Sequence, residues 1–186
     1  MADPSIARTA PRADPPGAGA LVSLGLVPPA TRFSFRGDAA AADGCGRALG
    51  LALPRVACRS AEAGDRAVLW LGPDEWLVLA PEAETVPLFA AVEAALAGVP
   101  HALVDVSHRQ VGFAVLGRLA PALLNAGCPL DLDLSAFPIG ACTRTVLAKC
   151  DVVLWRRGPD AFRLEVNRSF ADYLAGTLRV AERGLG

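Results

Sequence analysis

Histidine is nearly absent from this chain, with two in 186 residues, and none of the five cysteines stands in a C-x-x-C pair. A structural zinc site draws on clustered thiolates or imidazoles at short spacing, so the pattern speaks against a metal centre. Cys45, Cys58, Cys128, Cys142 and Cys150 are also odd in number, which speaks against a disulfide framework. They read as reduced, small apolar side chains of a cytoplasmic protein. Charge of one sign is lacking too. The net charge of -1 leaves no basic excess of the kind that nucleic-acid and membrane-surface binding rely on. No stretch reaches the roughly 18 to 20 apolar residues that cross a bilayer. The nearest, residues 18–27, is interrupted by Gly19, Ser23 and Gly25, is followed by Pro28-Pro29 and has Asp3 and Asp14 ahead of it. A signal peptide is therefore not expected, and residues 1–20, rich in Ala, Pro and Gly, are expected to form a flexible tail.

The motifs that mark many enzymes are missing as well. Neither G-x-G-x-x-G nor G-x-x-x-x-G-K-[ST] occurs, so no phosphate loop is indicated. No G-x-S-x-G elbow exposes a serine on a strained turn. Asp105-Val106-Ser107-His108-Arg109 holds an acid, a hydroxyl and an imidazole, but sequence neighbours rarely converge into a triad. On an extended strand Asp105, Ser107 and Arg109 would share one face and Val106 and His108 the other. A polar strand end, with Asp105 capping the backbone or pairing with Arg109, is the expected structure. Cys142 and Cys150 have no His nearby to hold a thiolate and read as structural. Thr143-Arg144-Thr145 with Lys149 could hold an anion such as a carboxylate, although a solvated strand edge or an intersubunit salt bridge accounts for them equally.

What the chain does contain is a repeat. Val68-Leu69-Trp70-Leu71-Gly72-Pro73-Asp74-Glu75-Trp76-Leu77 returns as Val153-Leu154-Trp155-Arg156-Arg157-Gly158-Pro159-Asp160-Ala161-Phe162. Each copy predicts a β-hairpin: two apolar runs joined by Gly-Pro-Asp, in which Pro presets φ and Asp bonds its own backbone. A strand and a small-residue helix precede each hairpin, at 33–49 and 113–126, and an amphipathic helix follows, at 86–97 and 169–181. The pattern predicts an α+β fold built from two pseudo-repeated β-α-β-β-β-α halves packed together. The domain is expected over 21–186, with halves of about 30–100 and 101–183.

In the second hairpin Phe162, Leu164 and Val166 alternate with Arg163, Glu165 and Asn167, which predicts one buried and one polar face. The first hairpin is apolar on both faces, with Leu69, Leu71, Leu77 and Leu79 on one parity and Val68, Trp70, Trp76 and Val78 on the other. Helices of the same unit can cover one face. The other must meet either the sister half or another protein, in which case Trp70 or Trp76 would anchor a subunit contact.

Together, Leu71-Gly72-Pro73-Asp74-Glu75-Trp76-Leu77, Asp105-Val106-Ser107-His108, Gly127-Cys128-Pro129-Leu130-Asp131-Leu132, Phe137-Pro138-Ile139-Gly140, Thr143-Arg144-Thr145-Val146-Leu147 and Glu165-Val166-Asn167-Arg168-Ser169-Phe170 resemble the gamma subunit of heterotetrameric sarcosine oxidase over residues 30–182. The resemblance implies a noncatalytic chain that supports assembly of a complex oxidatively demethylating sarcosine to glycine, formaldehyde or methylene-tetrahydrofolate, and hydrogen peroxide. It implies direct contact with the alpha subunit, and beta and delta subunits in the same complex. FAD, FMN, NAD, zinc and tetrahydrofolate are implied on those partners and none on this chain. The surface joining them would include Trp70, Trp76, Arg109 and Phe137. The same strings also resemble the folate-binding domain of glycine-cleavage T-protein aminomethyltransferases, which suggests an alternative: a stand-alone folate-binding one-carbon transferase. There Asp151 falls where that family has an acidic pair and Val166-Asn167 fits its later string. Cys150 replaces one acid, however, and Ala148-Lys149 replaces the preceding glycines.

Overall fold

The computed structural model describes residues 21–185, so the expected flexible tail of residues 1–20 lies outside the described residues. The repeat is visible in the order of the elements. The first copy runs β2 (Ala30–Gly37), α1 (Ala39–Leu49), β3 (Ser60–Ala63), β4 (Arg66–Gly72), β5 (Glu75–Pro81) and α2 (Thr85–Ala95). The second runs β7 (Gln110–Leu116), α3 (Ala120–Asn125), β8 (Cys142–Leu147), β9 (Cys150–Gly158), β10 (Ala161–Asn167) and α4 (Ala171–Arg183). Local chemistry sets the boundaries. Asp38 accepts the amide of Ala41 at 2.9 Å and so starts α1, and Gly50 ends that helix in the left-handed region at φ 65. The two Gly-Pro-Asp turns join β4 to β5 and β9 to β10, where each hairpin also shifts register by a bulge.

Two further strands, β1 (Ser23–Leu26) and β6 (His101–Asp105), cross between the halves. One sheet has the order β3-β4-β5-β2-β6 and the other β1-β7-β10-β9-β8, and the named strand pairs are antiparallel. Thus β6 follows residue 100 in sequence yet pairs with β2, through Ser34 and Val104 among others. Likewise β1 precedes the first copy yet pairs with β7, Ser23 opposite Leu116. The sheets therefore do not divide where the sequence halves of 30–100 and 101–183 divide. An isolated backbone bridge, Arg59 to Ala141, joins the sheets at one corner.

The apolar pattern arranges these sheets into four layers. Phe33, Phe35, Val68, Trp76 and Val78 pack on Cys45 and Leu49 of α1 and Leu88 and Val92 of α2. Phe113, Val115, Leu154 and Leu164 pack on Leu123 and Leu124 of α3 and Leu174 and Leu178 of α4. Between the sheets Leu69, Leu77 and Leu79 meet Val106, Cys142, Val153 and Trp155. The sister half thus covers the second apolar face of the first hairpin. Helices α1 and α2 approach so closely that a Cβ on Gly44 would stand 2.4 Å from Leu96 Cδ2, so a larger residue there would have to displace the Leu96 side chain.

The second hairpin departs from the expected polar face. Glu165 is buried because that face of β10 looks into the intersheet layer. Alternation on a strand reports which residues share a face and is silent about what covers it.

Candidate functional site

The most concentrated polar chemistry lies at the end of this intersheet layer. Arg32 of β2 and Glu165 of β10 are both almost wholly buried, and Arg32 Nε donates to Glu165 Oε2 at 2.6 Å. Arg163 Nε donates to the other oxygen, Oε1, at 2.7 Å, so one carboxylate holds two guanidinium groups, one from each sheet. Arg32 Nη1 also donates to the carbonyl of Ala30 at 3.1 Å. Gly112 lies against the same group: a Cβ there would meet Val27 Cγ2 at 2.3 Å, Arg32 Nη2 at 2.9 Å and Glu165 Oε1 at 3.0 Å.

Ser107 belongs to this buried group. Its Oγ accepts the Arg32 amide at 2.8 Å, and its own amide donates to Asp105 Oδ1 at 2.8 Å. The segment from Val106 to Arg109 is therefore a turn, closed by the Arg109 amide on the Val106 carbonyl at 3.0 Å, rather than the extended strand the sequence suggested. The Asp105 side chain forces this by bonding the backbone two residues on, as an Asx turn does. Its capping role is the one expected. Ser107 Oγ serves the backbone of a neighbouring strand, and the hydroxyl is part of the joint between the sheets.

The sequence-predicted surface residues fall in different places. Trp76 is 3% exposed, faces α1 and α2, and donates its indole N–H to the Pro54 carbonyl at 2.8 Å. Phe137 is 7% exposed and belongs to the core under α3. Both were expected in a subunit surface, and in this chain both are buried. Trp70 is half-buried against the helix-side core, and Arg109 is exposed.

Arg144 pairs within the chain: it bonds both carboxylate oxygens of Glu75, with Nη1 to Oε2 at 2.9 Å. That guanidinium holds the Glu75 carboxyl below its usual range against a smaller opposing effect of burial. The cation stands exposed on the edge strand β8, the solvated edge weighed for it, and spans to the first residue of β5 in an intrachain bridge. Lys149 is exposed in the turn between β8 and β9. Cys142 is buried and its Sγ donates to the Trp70 carbonyl at 3.5 Å. Burial pushes the thiols of Cys45 and Cys142 up to about 12 and raises that of Cys150, so these sulfurs are protonated at neutral pH.

Asp151 stands exposed on β9, opposite Val146 in the register. It lines a cleft of about 440 Å3 together with Arg109, Gln110, Arg144, Glu165 and Asn167. Among the described residues no group of three or more His, Cys, Asp or Glu is placed to hold a metal ion.

Sequence reasoning missed Arg156. This side chain is 2% exposed and its guanidinium reaches four carbonyls: Leu132 and Phe137 from Nη1, each at 2.8 Å, Gly158 from Nε at 3.2 Å, and Pro159 from Nη2 at 2.5 Å. It also lies 4.7 Å from the centroid of the Phe162 ring. Burial lowers its pKa, opposed by the fields of Asp160 and Asp133. The bonds pin the segment around Leu132 and Phe137 to the second hairpin. The signal was present, since Arg156 replaces an apolar position of the first copy, but a charged residue in a hairpin reads by default as solvated.

This geometry defines a class of domain: a doubled antiparallel α+β unit of the kind in the aminomethyltransferases, with its buried polar groups joining the sheets. A glycine cleavage system aminomethyltransferase T from Bartonella henselae shares the fold at a TM-score of 0.65 and 19% identity, over 86% of this chain and 45% of that one. Within that class the chain belongs to the sarcosine oxidase gamma subunit family, whose model matches residues 36–182. It is 40% identical to a sarcosine oxidase subunit gamma from Arthrobacter sp. over 62% of this chain and 56% of that protein. To the subunit gamma of Corynebacterium sp. strain U-96 it is 34% identical over 74% of this chain and 64% of that protein. The chain thus spans about three fifths of the length of these curated relatives. A chain of the solved heterotetrameric sarcosine oxidase from Corynebacterium sp. U-96 superposes with a TM-score of 0.83 at 30% identity, over 88% of this chain and 84% of that one.

Proposed function

We propose that this chain is the noncatalytic gamma subunit of a heterotetrameric sarcosine oxidase and supports assembly of that complex. The reaction of the complex is the oxidative demethylation of sarcosine to glycine, formaldehyde or methylene-tetrahydrofolate, and hydrogen peroxide. The observation that carries this reading is the superposition on the solved heterotetramer across 88% of the chain. The placement of the polar groups agrees with it: Arg32 binds Glu165 across the sheets, Ser107 bonds the Arg32 backbone, and the Cys45 and Cys142 thiols are held protonated by burial. FAD, FMN, NAD, zinc and tetrahydrofolate belong, on this reading, to the partner subunits, and the alpha subunit makes the direct contact. Trp70 and Arg109 are the expected contact residues that retain exposed area. Among the described residues no helix is long and apolar enough to cross a membrane. On this reading the chain is cytoplasmic, which its unpaired cysteines support.

The test is affinity purification of the tagged chain from its native host, with mass determination and a sarcosine-dependent peroxide assay on the recovered material. Three further subunits, a flavin spectrum and peroxide formation are the expected result. Recovery of the chain alone, without flavin and with saturable tetrahydrofolate binding, would replace this reading by a stand-alone folate-binding transferase.

A further inference from the structure

A groove of about 750 Å3 lies between β1 with its following Pro28-Pro29, β7 and one face of α4. It is separate in chemistry from the Asp151 cleft, although Gln110 lines both. The apolar part is formed by Leu24, Leu26, Val111, Phe113, Ala171 and Ala175. Along the helix side stand Arg168, Asp172, Gly176 and Arg179, roughly one turn apart. Among the described residues neither Arg168 nor Arg179 has a carboxylate within 4.0 Å, whereas Arg32, deeper in the wall, is held by Glu165. Arg168 Nε donates to the His108 carbonyl at 2.9 Å. Two guanidinium groups therefore face one carboxylate, Asp172.

Volumes of roughly 300–1,000 Å3, mostly apolar walls and a few convergent polar groups characterise small-molecule sites. Guanidinium forks match carboxylate or sulfonate oxygens in geometry and charge. We propose that this groove binds a small organic anion with an apolar, ring-sized body. Arg168 and Arg179 take the acid group and the β1–β7 side takes the body. The inference stands apart from the oxidase reading and needs no partner chain.

The probe is 8-anilinonaphthalene-1-sulfonate, which combines a sulfonate, fused rings and an N–H, titrated against the full chain by fluorescence. A Cβ on Gly176 meets nothing within 4 Å, so Gly176→Phe extends into open space without displacing the core. The expected result is saturable one-site binding, abolished by Gly176→Phe and weakened about tenfold or more by Arg168→Gln with Arg179→Gln. The neutral analogue N-phenyl-1-naphthylamine should bind at least about tenfold more weakly than the sulfonate. Melting temperatures and circular dichroism of the variants verify folding, and the charge variants carry the test independently if Gly176→Phe does not fold. Binding undiminished by the charge changes, equal binding of the neutral analogue, or absence of a saturable site would overturn the proposal. So would loss of the probe site on assembly with partner subunits, which would assign the groove to a protein contact.

Discussion

Replacing Glu165 by leucine removes the carboxylate that holds Arg32 and Arg163, and the cost follows from burial. Arg32 is 3% exposed and cannot reach solvent without opening the joint between β2 and β10. Its Nη1 keeps the Ala30 carbonyl but Nε loses the Glu165 carboxylate, leaving a buried cation without a counter-charge. Removal of one partner of such a pair costs roughly 3–5 kcal/mol, a large share of the roughly 5–15 kcal/mol that a domain possesses. Urea unfolding of the full chain should show it. With a slope of roughly 2 kcal/mol per molar, the midpoint falls by about 1.5 to 2.5 M while the slope stays unchanged. Glu165→Gln, which keeps an acceptor but loses the charge, should cost about half as much. Pairing Arg32→Met with Glu165→Leu should recover most of the loss, because the desolvated cation goes as well. Arg163 retains some exposure and can turn to water. A single-variant loss below about 1 kcal/mol, or a double variant no better than the single, would refute the claim that an uncompensated charge sets the cost.

Gly112→Ala should destabilise by about 2 kcal/mol or more in the same assay, since its Cβ would come 2.3 Å from Val27; a neutral effect would mean that β1 yields freely. Arg156→Leu should cost about 3 kcal/mol and increase proteolysis between residues 128 and 141, because four carbonyls lose their donor together. Iodoacetamide at pH 8 should alkylate Cys58 first and leave Cys45 and Cys142 unmodified until urea opens the chain, as read by peptide mass. For Cys45 and Cys142 the folded pKa of about 12 lies above the reference of 9.0, so their contribution to stability is full below pH 9 and disappears as pH rises toward 12. Unfolding midpoints should therefore fall across that alkaline window, and a cysteine-to-alanine variant at either site should flatten the decline.

The fold was readable where local rules act alone. The Gly-Pro-Asp turns mark both hairpins, and Asp38 marks the start of α1. Helix ends differed from expectation by one or two residues at most boundaries, as with Thr85–Ala95 against 86–97, because a 3-10 turn leads into α2 and shifts its start. The strand exchange was not readable: His101–Asp105 follows the first copy directly, and no periodicity names the neighbour across a ladder. The polar joint was hidden for a related reason. Arg32, Glu165 and Arg156 have the residue types of a solvated face, and only long-range pairing shows that other strands and loops cover them. Trp76 was legible as a large apolar residue, but its direction depended on which face the helices took.

The exchanged strands have a consequence for how the molecule comes into being. Ser23 pairs with Leu116 and Ser34 with Val104, while the Arg32 and Glu165 contact spans 133 positions of chain. Closing such distant contacts is entropically demanding and slows folding relative to a protein of local hairpins. A nascent chain released only as far as residue 100 carries a first sheet without β6 and a β1 with no mate. Each sheet thus takes one edge strand from outside its own copy, and neither copy by itself holds all five strands of its sheet. Separately expressed fragments cut at that point should each be aggregation-prone through an open strand edge and should regain the native spectrum only when mixed.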